Sequence, residues 1–147
     1  MIVRTLAPDD VVAARALVER QFGGTRYCAR LLEQVGDAEY RGLVALDDGS
    51  TVLAALLFGE VSGASGVVKL HALIGDDVRA LRAANAEFGM RTAATRLVVC
   101  ELPDDAVFTT AARVLGESGF AEESRAGDMV ARDVALLFLV RRVTADS

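Results

Sequence analysis

The chain has few of the residues from which metal centres, disulfide frameworks and nucleic-acid surfaces are built. Its 147 residues include one histidine, His71, and two cysteines, Cys28 and Cys100. That set is too small for a structural zinc site or a disulfide framework, so no metal is expected and the compartment should be reducing, the cytoplasm. The 16 Lys and Arg are scattered and outnumbered by 21 Asp and Glu, giving a net charge of −5. With no cationic stripe to neutralise a phosphate backbone, nucleic acid is not expected as a partner. No apolar run approaches the roughly 18 residues that cross a bilayer, and residues 1–20 alternate charged and apolar positions without a signal-like core, so no membrane partner is expected either. Aromatics make up 5% of the chain and hydrophobic residues 52%. Leu, Val and Ala must therefore fill the core, and the apolar excess points to a homodimer that would cover part of it. A chain of this length suits one domain spanning 1–147.

The residues present alternate between the two regular periods. Arg96 to Leu102 is a short β-branched and apolar run; Asp104 or Asp105 can cap a helix after it, and Val107, Phe108, Ala111, Val114 and Leu115 recur at helical spacing until Gly119 and Phe120. Ahead of this, Met1 to Leu6 reads as a strand. Pro8, Asp9 and Asp10 suit a first helical turn, and Val11, Ala14, Val18 and Phe22 mark one helical face. Gly23 and Gly24 end that helix, and Thr25 can cap a second, Arg26 to Val35. RGLVAL, TVLAALLFGEV and GVVKLHALI form an antiparallel meander turned at Asp47, Asp48 and Gly49 and at SGASG. Val78, Leu81, Asn85 and Phe88 carry a helix to about Arg91, and a helix between two strands argues a parallel crossover into the strand at 96. A strand over 120–126, a polar loop through Gly127 and Asp128, and a last strand from Val134 to Val143, too apolar to have an exposed face, close the chain. The expected class is α/β (α+β): a mixed, mostly antiparallel sheet of about seven strands flanked by about four helices.

That order resembles the GNAT N-acetyltransferase superfamily over nearly the whole chain. It is carried by VRTLAPDDVVAARALVERQF, the meander, ALRAANAEF followed by ATRLVVCEL, the helix ending GESGF, and ARDVALLFLVRR. The resemblance implies acetyl-coenzyme A (acetyl-CoA) as co-substrate, bound where two parallel strands part, and acyl transfer to an amine of a small molecule or protein. It further implies a glycine-rich turn that gives backbone N–H groups to the diphosphate at a helix N-terminus. Here that turn falls at Gly75, Asp76, Asp77 and Val78, and the implied coenzyme contacts are Leu73, Ile74, Gly75, Val78 and Arg79, with oxyanion donors from the backbone near Ala72 to Ile74.

The sequence departs from the family at this turn and on the helix after the strand at 96. Two carboxylates stand where phosphates would arrive, and unit charges about 4 Å apart at an effective dielectric near 20 repel by about 4 kcal/mol. Asp76 instead suits the helix cap, satisfying the same N–H groups, and Arg79 is the nearby cation. The family's asparagine and acidic tyrosine fall on Phe108 and Leu115, neither of which donates a proton. Three catalytic candidates remain. His71, on the third meander strand with Lys69 on its face, is a base acting through water or a histidine bonded within the sheet. Tyr27 lines the acceptor pocket, acts as an acid, or packs on the surface. Glu60 is a base or a solvated strand end. Cys100, next to Glu101, and Cys28 read as buried filler. The alternative to an N-acyltransferase is a module of the same fold that has lost coenzyme A chemistry and serves in binding or regulation.

Overall fold

The computed structural model describes residues 1–48 and 50–143. Gly49 of the first hairpin turn lies outside them. The chain runs β1 (Ile2–Thr5), α1 (Val11–Phe22), α2 (Cys28–Val35), β2 (Arg41–Leu46), β3 (Val52–Glu60), β4 (Val67–Ile74), α3 (Val78–Arg91), β5 (Leu97–Pro103), α4 (Thr109–Glu117), β6 (Ala121–Ala131) and β7 (Val134–Arg142). The strands form one seven-stranded sheet in the order β1-β2-β3-β4-β5-β7-β6. Only β4 and β5 are parallel neighbours, joined across α3. Consecutive residues of β2 and β3 are buried on both sides, as a sheet covered on both faces requires. The pair α1 and α2 covers one face, and α3, packed on α4, covers the other.

Local chemistry sets each boundary. Pro8 opens a single 3-10 turn, and Asp10 behind it accepts from the Ala7 backbone N–H at 2.7 Å and from both Arg4 guanidinium nitrogens at 2.6 and 2.9 Å. At the far end of α1, Thr25 Oγ1 donates to the Phe22 carbonyl at 2.6 Å and accepts from the Tyr27 N–H at 3.2 Å. The residues around Thr25 are thereby held in a turn, so α2 starts at Cys28, two residues later than its sequence pattern predicts. In the first hairpin Ser50 takes the left-handed backbone, with φ 64°. The Asp47 carboxylate accepts from the Thr51 N–H at 2.8 Å.

Two expectations fail at the end of the chain. The loop predicted at Gly127 and Asp128 is strand: β6 continues to Ala131 through an irregular pairing with β7, and the turn falls at 132–133. Asp128 and Asp133 both have positive φ, and the Asp128 carboxylate accepts from the Asp133 N–H at 2.7 Å, so the polar residues bend the ribbon without ending it. Nor is β7 fully covered. Only Leu139 along it is buried, because one of its sides borders an open cleft, and β6 beyond it has no buried residue. No helix among the described residues is long and apolar enough to cross a membrane.

The Arg4–Asp10 pair predicts an acid-sensitive anchor. The bidentate bond from Arg4 holds the Asp10 carboxyl, 8% exposed, below its ordinary 3.8. A lowered folded-state value means that the stabilisation is complete above the unfolded-state value and is lost as pH falls through the folded one. Asp10→Asn is therefore expected to lower Tm at neutral pH and to flatten its decline below about pH 4. Circular-dichroism melts of both proteins across that range check this; parallel acid limbs would show that Asp10 does not set the acid response.

Candidate active site between the parting strands

The site begins with an irregularity in β4. On the β3 side, Leu57 pairs with Ala72 but Phe58 pairs with Leu70, so His71 is an extra residue bulged out of the ladder. On the β5 side, pairing runs from Val67 with Leu97 only as far as Leu70 with Cys100. Beyond that point the two parallel strands diverge, and the β5-facing backbone of His71 to Ile74 has no strand partner. Phe108, at the start of α4, stacks obliquely on Phe22 of α1 at 5.3 Å and edge-on with Tyr27 at 4.8 Å. Of these rings, Tyr27 and Phe108 line the opening between the strands.

The gap opens into a cleft of about 660 Å³. Leu73, Ile74, Leu102 and Phe108 line its depth; Tyr27, Leu31 and Gln34 wall it from the α2 side; Met129, Val130 and Leu136 wall it from β6 and β7. It is the size of a small-molecule site and is mostly apolar with a few convergent polar groups. Among the described residues no group of three His, Cys, Asp or Glu side chains is placed to hold a metal ion.

Of the predicted catalytic residues, His71 and Tyr27 both line this cleft and Glu60 does not. Glu60 is exposed at the end of β3 on a separate cavity of about 430 Å³ beside Arg41 and Arg91. The His71 ring is half-buried and meets Tyr40 edge-on at 4.5 Å. Burial lowers its pKa from 6.5, and Lys69 and Arg30 lower it further against an opposing pull from Glu101. Lys69 is itself ion-paired to Glu101 at 3.3 Å. The Tyr27 phenol donates to Asp105 Oδ2 at 2.8 Å, and burial, then that bond, push its pKa up to about 12. Cys100 is buried with its thiol pushed up to about 12 by burial, the behaviour of core filler. Cys28 is half-buried.

The β4–α3 turn corrects three expectations. Asp77, not Asp76, caps α3, accepting from the Ala80 N–H at 3.1 Å. Asp76 is exposed and faces Arg20 at 3.4 Å, so α1 supplies a cation where the local sequence offers only Arg79. The N–H groups of Val78 and Arg79, at the first two positions of the helix, take neither carboxylate as partner. Gly75 is fixed by its surroundings: its φ is +138°, a Cβ there would lie 2.7 Å from the Leu53 carbonyl oxygen, and its N–H is held by Gln21 Oε1 at 2.7 Å. Leu73 and Ile74 face the cleft, whereas Gly75, Val78 and Arg79 stand at the turn beyond it.

Reasoning from sequence passes over Arg26, Arg30 and Gln34. Arg30 and Gln34 follow each other at four-residue spacing on α2, Arg26 lies four residues earlier in the turn before it, and all three reach the same cleft. A polar row at helical period flanked by Tyr27 and the buried Leu31 is the signal that marks them.

No family model matches the sequence, and no curated protein matches it. Solved structures match its shape throughout. A GNAT-family protein from Desulfovibrio desulfuricans superposes with a TM-score of 0.80 at 18% identity, covering 97% of this chain and 100% of that one. An aminoglycoside 6'-N-acetyltransferase from Enterococcus faecium does so at 0.77 and 9% identity, with 100% and 99% covered. The ribosomal-protein-alanine N-acetyltransferase of Brucella melitensis gives 0.74 and 15% identity, with 97% and 99% covered. The chain has the fold of the GNAT N-acetyltransferases.

Because Asp105 is what raises the Tyr27 phenol beyond the effect of burial, Asp105→Asn is expected to bring that ionisation down toward 10. Ultraviolet difference titration of the two-tyrosine protein and of Tyr40→Phe reads this directly. A Tyr27 transition that ignores the Asp105 change would show that burial alone sets it.

Proposed function

We propose that the chain is an N-acyltransferase that moves an acyl group, acetyl first, from coenzyme A to an amine. The supporting observation is the combination at one place of the open β4 edge, the cleft and the bulged His71. An extended thioester arm fits along the unpaired backbone of His71 to Ile74 as an added strand would. When bound, the coenzyme supplies an activated acyl carbon; the protein's part is to orient it, stabilise charge and manage protons. The backbone N–H groups of Ala72 to Ile74 serve the oxyanion, where preorganised donors are most effective. His71, neutral at pH 7 because its pKa is lowered, takes a proton from the ammonium so that the free amine can attack, directly or through one water.

The departing thiolate is not protonated by Tyr27. A phenol near 12 is about 3.5 units weaker as an acid than an ordinary thiol, uphill by about 5 kcal/mol, and its O–H is already donated to Asp105. We assign Tyr27 to the pocket wall and the proton to solvent.

At the turn, the Val78 and Arg79 N–H groups and the Arg79 side chain suit a diphosphate, and Asp76 opposes it. Two unit charges about 4 Å apart repel by about 4 kcal/mol at an effective dielectric near 20, and Arg20 offsets part of this. Removing the charge should therefore tighten binding. Asp76→Asn is expected to lower the Kd for acetyl-CoA about tenfold, read by calorimetry and by the ligand-induced rise in Tm. If acetyl-CoA stabilises neither protein, the fold has lost coenzyme A chemistry and the binding-module alternative stands.

For the base, His71→Gln is expected to lower kcat by about 100-fold. In the parent, kcat/KM should rise with pH through a transition below 6.5, because the neutral imidazole is the active form. A profile unchanged by His71→Gln would exclude the imidazole.

A further inference from the structure

The cleft carries a local charge opposite to that of the chain. The protein has a net charge of −5, yet the charged side chains lining the cleft are Arg26, Arg30 and Lys69 against the single carboxylate Glu101. Lys69 and Glu101 neutralise each other across 3.3 Å. Asp105, just outside, receives the Tyr27 phenol. Arg26 and Arg30 remain exposed, and among the described residues neither has a hydrogen bond or ion pair. Arg30 lies on the first turn of α2 and Arg26 in the turn just ahead of it, four residues earlier in the chain. Both line the same cleft as Tyr27 and His71.

One turn further along the same row is Gln34. It is 9% exposed and lines the cleft, and its side-chain amide makes no hydrogen bond among the described residues. Among the described residues Asn85 Oδ1 is the buried side-chain polar atom left without a partner, so the Gln34 amide is not sealed off: it reaches the solvent of the cleft, where a ligand can take the place of water.

Resting on the acyltransferase reading above, we propose that the acceptor is a small amine whose own molecule carries an anionic group, a carboxylate or phosphate, gripped by Arg26 and Arg30 while a neighbouring polar atom bonds Gln34. The planar guanidinium fork matches carboxylate and phosphate oxygens two at a time, which a polyamine or a plain alkylamine does not offer. The arrangement places the amine at His71, with the Lys69–Glu101 pair beside it, and the acid end along α2. It reverses what the acidic composition alone implies, a preference for cationic substrates. It also separates the two ligands: a coenzyme's phosphates belong at the α3 turn, reached from Arg20 and Gln21 of α1, and the α2 arginines belong to the acceptor.

The test is a binding panel that does not depend on turnover. Alanine, phenylalanine and glutamate, the C-terminal amide of each, O-phosphoethanolamine and spermidine are titrated calorimetrically into the full chain, with and without coenzyme A. The same panel is run on Arg26→Gln/Arg30→Gln and on Gln34→Leu, with melts to confirm folding. The proposal expects at least one acid to bind tenfold or more tighter than its amide, that margin to vanish in the double arginine variant, and acetyl-CoA affinity to stay unchanged there. Preference for O-phosphoethanolamine over the amino acids identifies phosphate as the anion, and the reverse order identifies carboxylate. The proposal is overturned if amides or spermidine bind as well as the acids or if nothing in the panel binds. It is equally overturned if the double variant weakens acetyl-CoA instead. Acid-selective binding in a protein that transfers no acyl group would leave this inference standing and remove the transferase reading, so the two fail separately.

Discussion

The structure depends on two parallel strands that stop pairing halfway. β4 and β5 keep register for four residue pairs and part after Leu70 and Cys100. β4 bulges at His71 just beyond that point, and Phe108, gathered with Phe22 and Tyr27, lines the space that opens. Separation leaves backbone donors and acceptors without partners, which a folded protein tolerates only where water or a ligand serves them. The whole candidate site is the lining of that gap, and each surrounding element contributes because the gap reaches it.

The same constraint explains the tightness of the adjoining turn. Gly75 is buried against Leu53 and tied to Gln21, so the end of β4 cannot relax back toward β5. The N-terminus of α3 follows at once, at the turn beyond the cleft. Asp76, leaning to Arg20, then sets how strongly that helix end attracts an anion.

Much of the fold was legible because the chain's periods are clean. The spacing of Val78, Leu81, Asn85 and Phe88 placed α3, and the helix between two strands gave the one parallel neighbour pair. The turn at Pro8, Asp9 and Asp10 was legible too, as the entry to α1, whereas the bond from Arg4 to Asp10 that anchors it was not. The failures share a cause: they turn on which of two like residues, or which of two neighbours, wins a contact made across the structure. Nothing local distinguishes Asp76 from Asp77 as the cap; Arg20, 56 residues upstream, does. Gly127 and Asp128 read as a loop because their turn propensity is real, but pairing with β7 carries the strand through it. The site was legible only in part. His71 and Tyr27 attract notice by chemistry, whereas Arg26, Arg30 and Gln34 are ordinary helix-surface residues until the cleft is seen beside them.

The outermost strand has a consequence of its own. β6 is eleven residues long with one side of its ladder unpaired, the arrangement that invites another chain to add on. Its outer run is Glu122, Glu123, Ser124 and Arg125, with Glu122 bonded to Arg125 at 2.9 Å and Glu123 to Arg142. A second strand laid along it would have to strip or duplicate those charges. The polar border therefore discourages the addition of a further strand at this edge of the sheet.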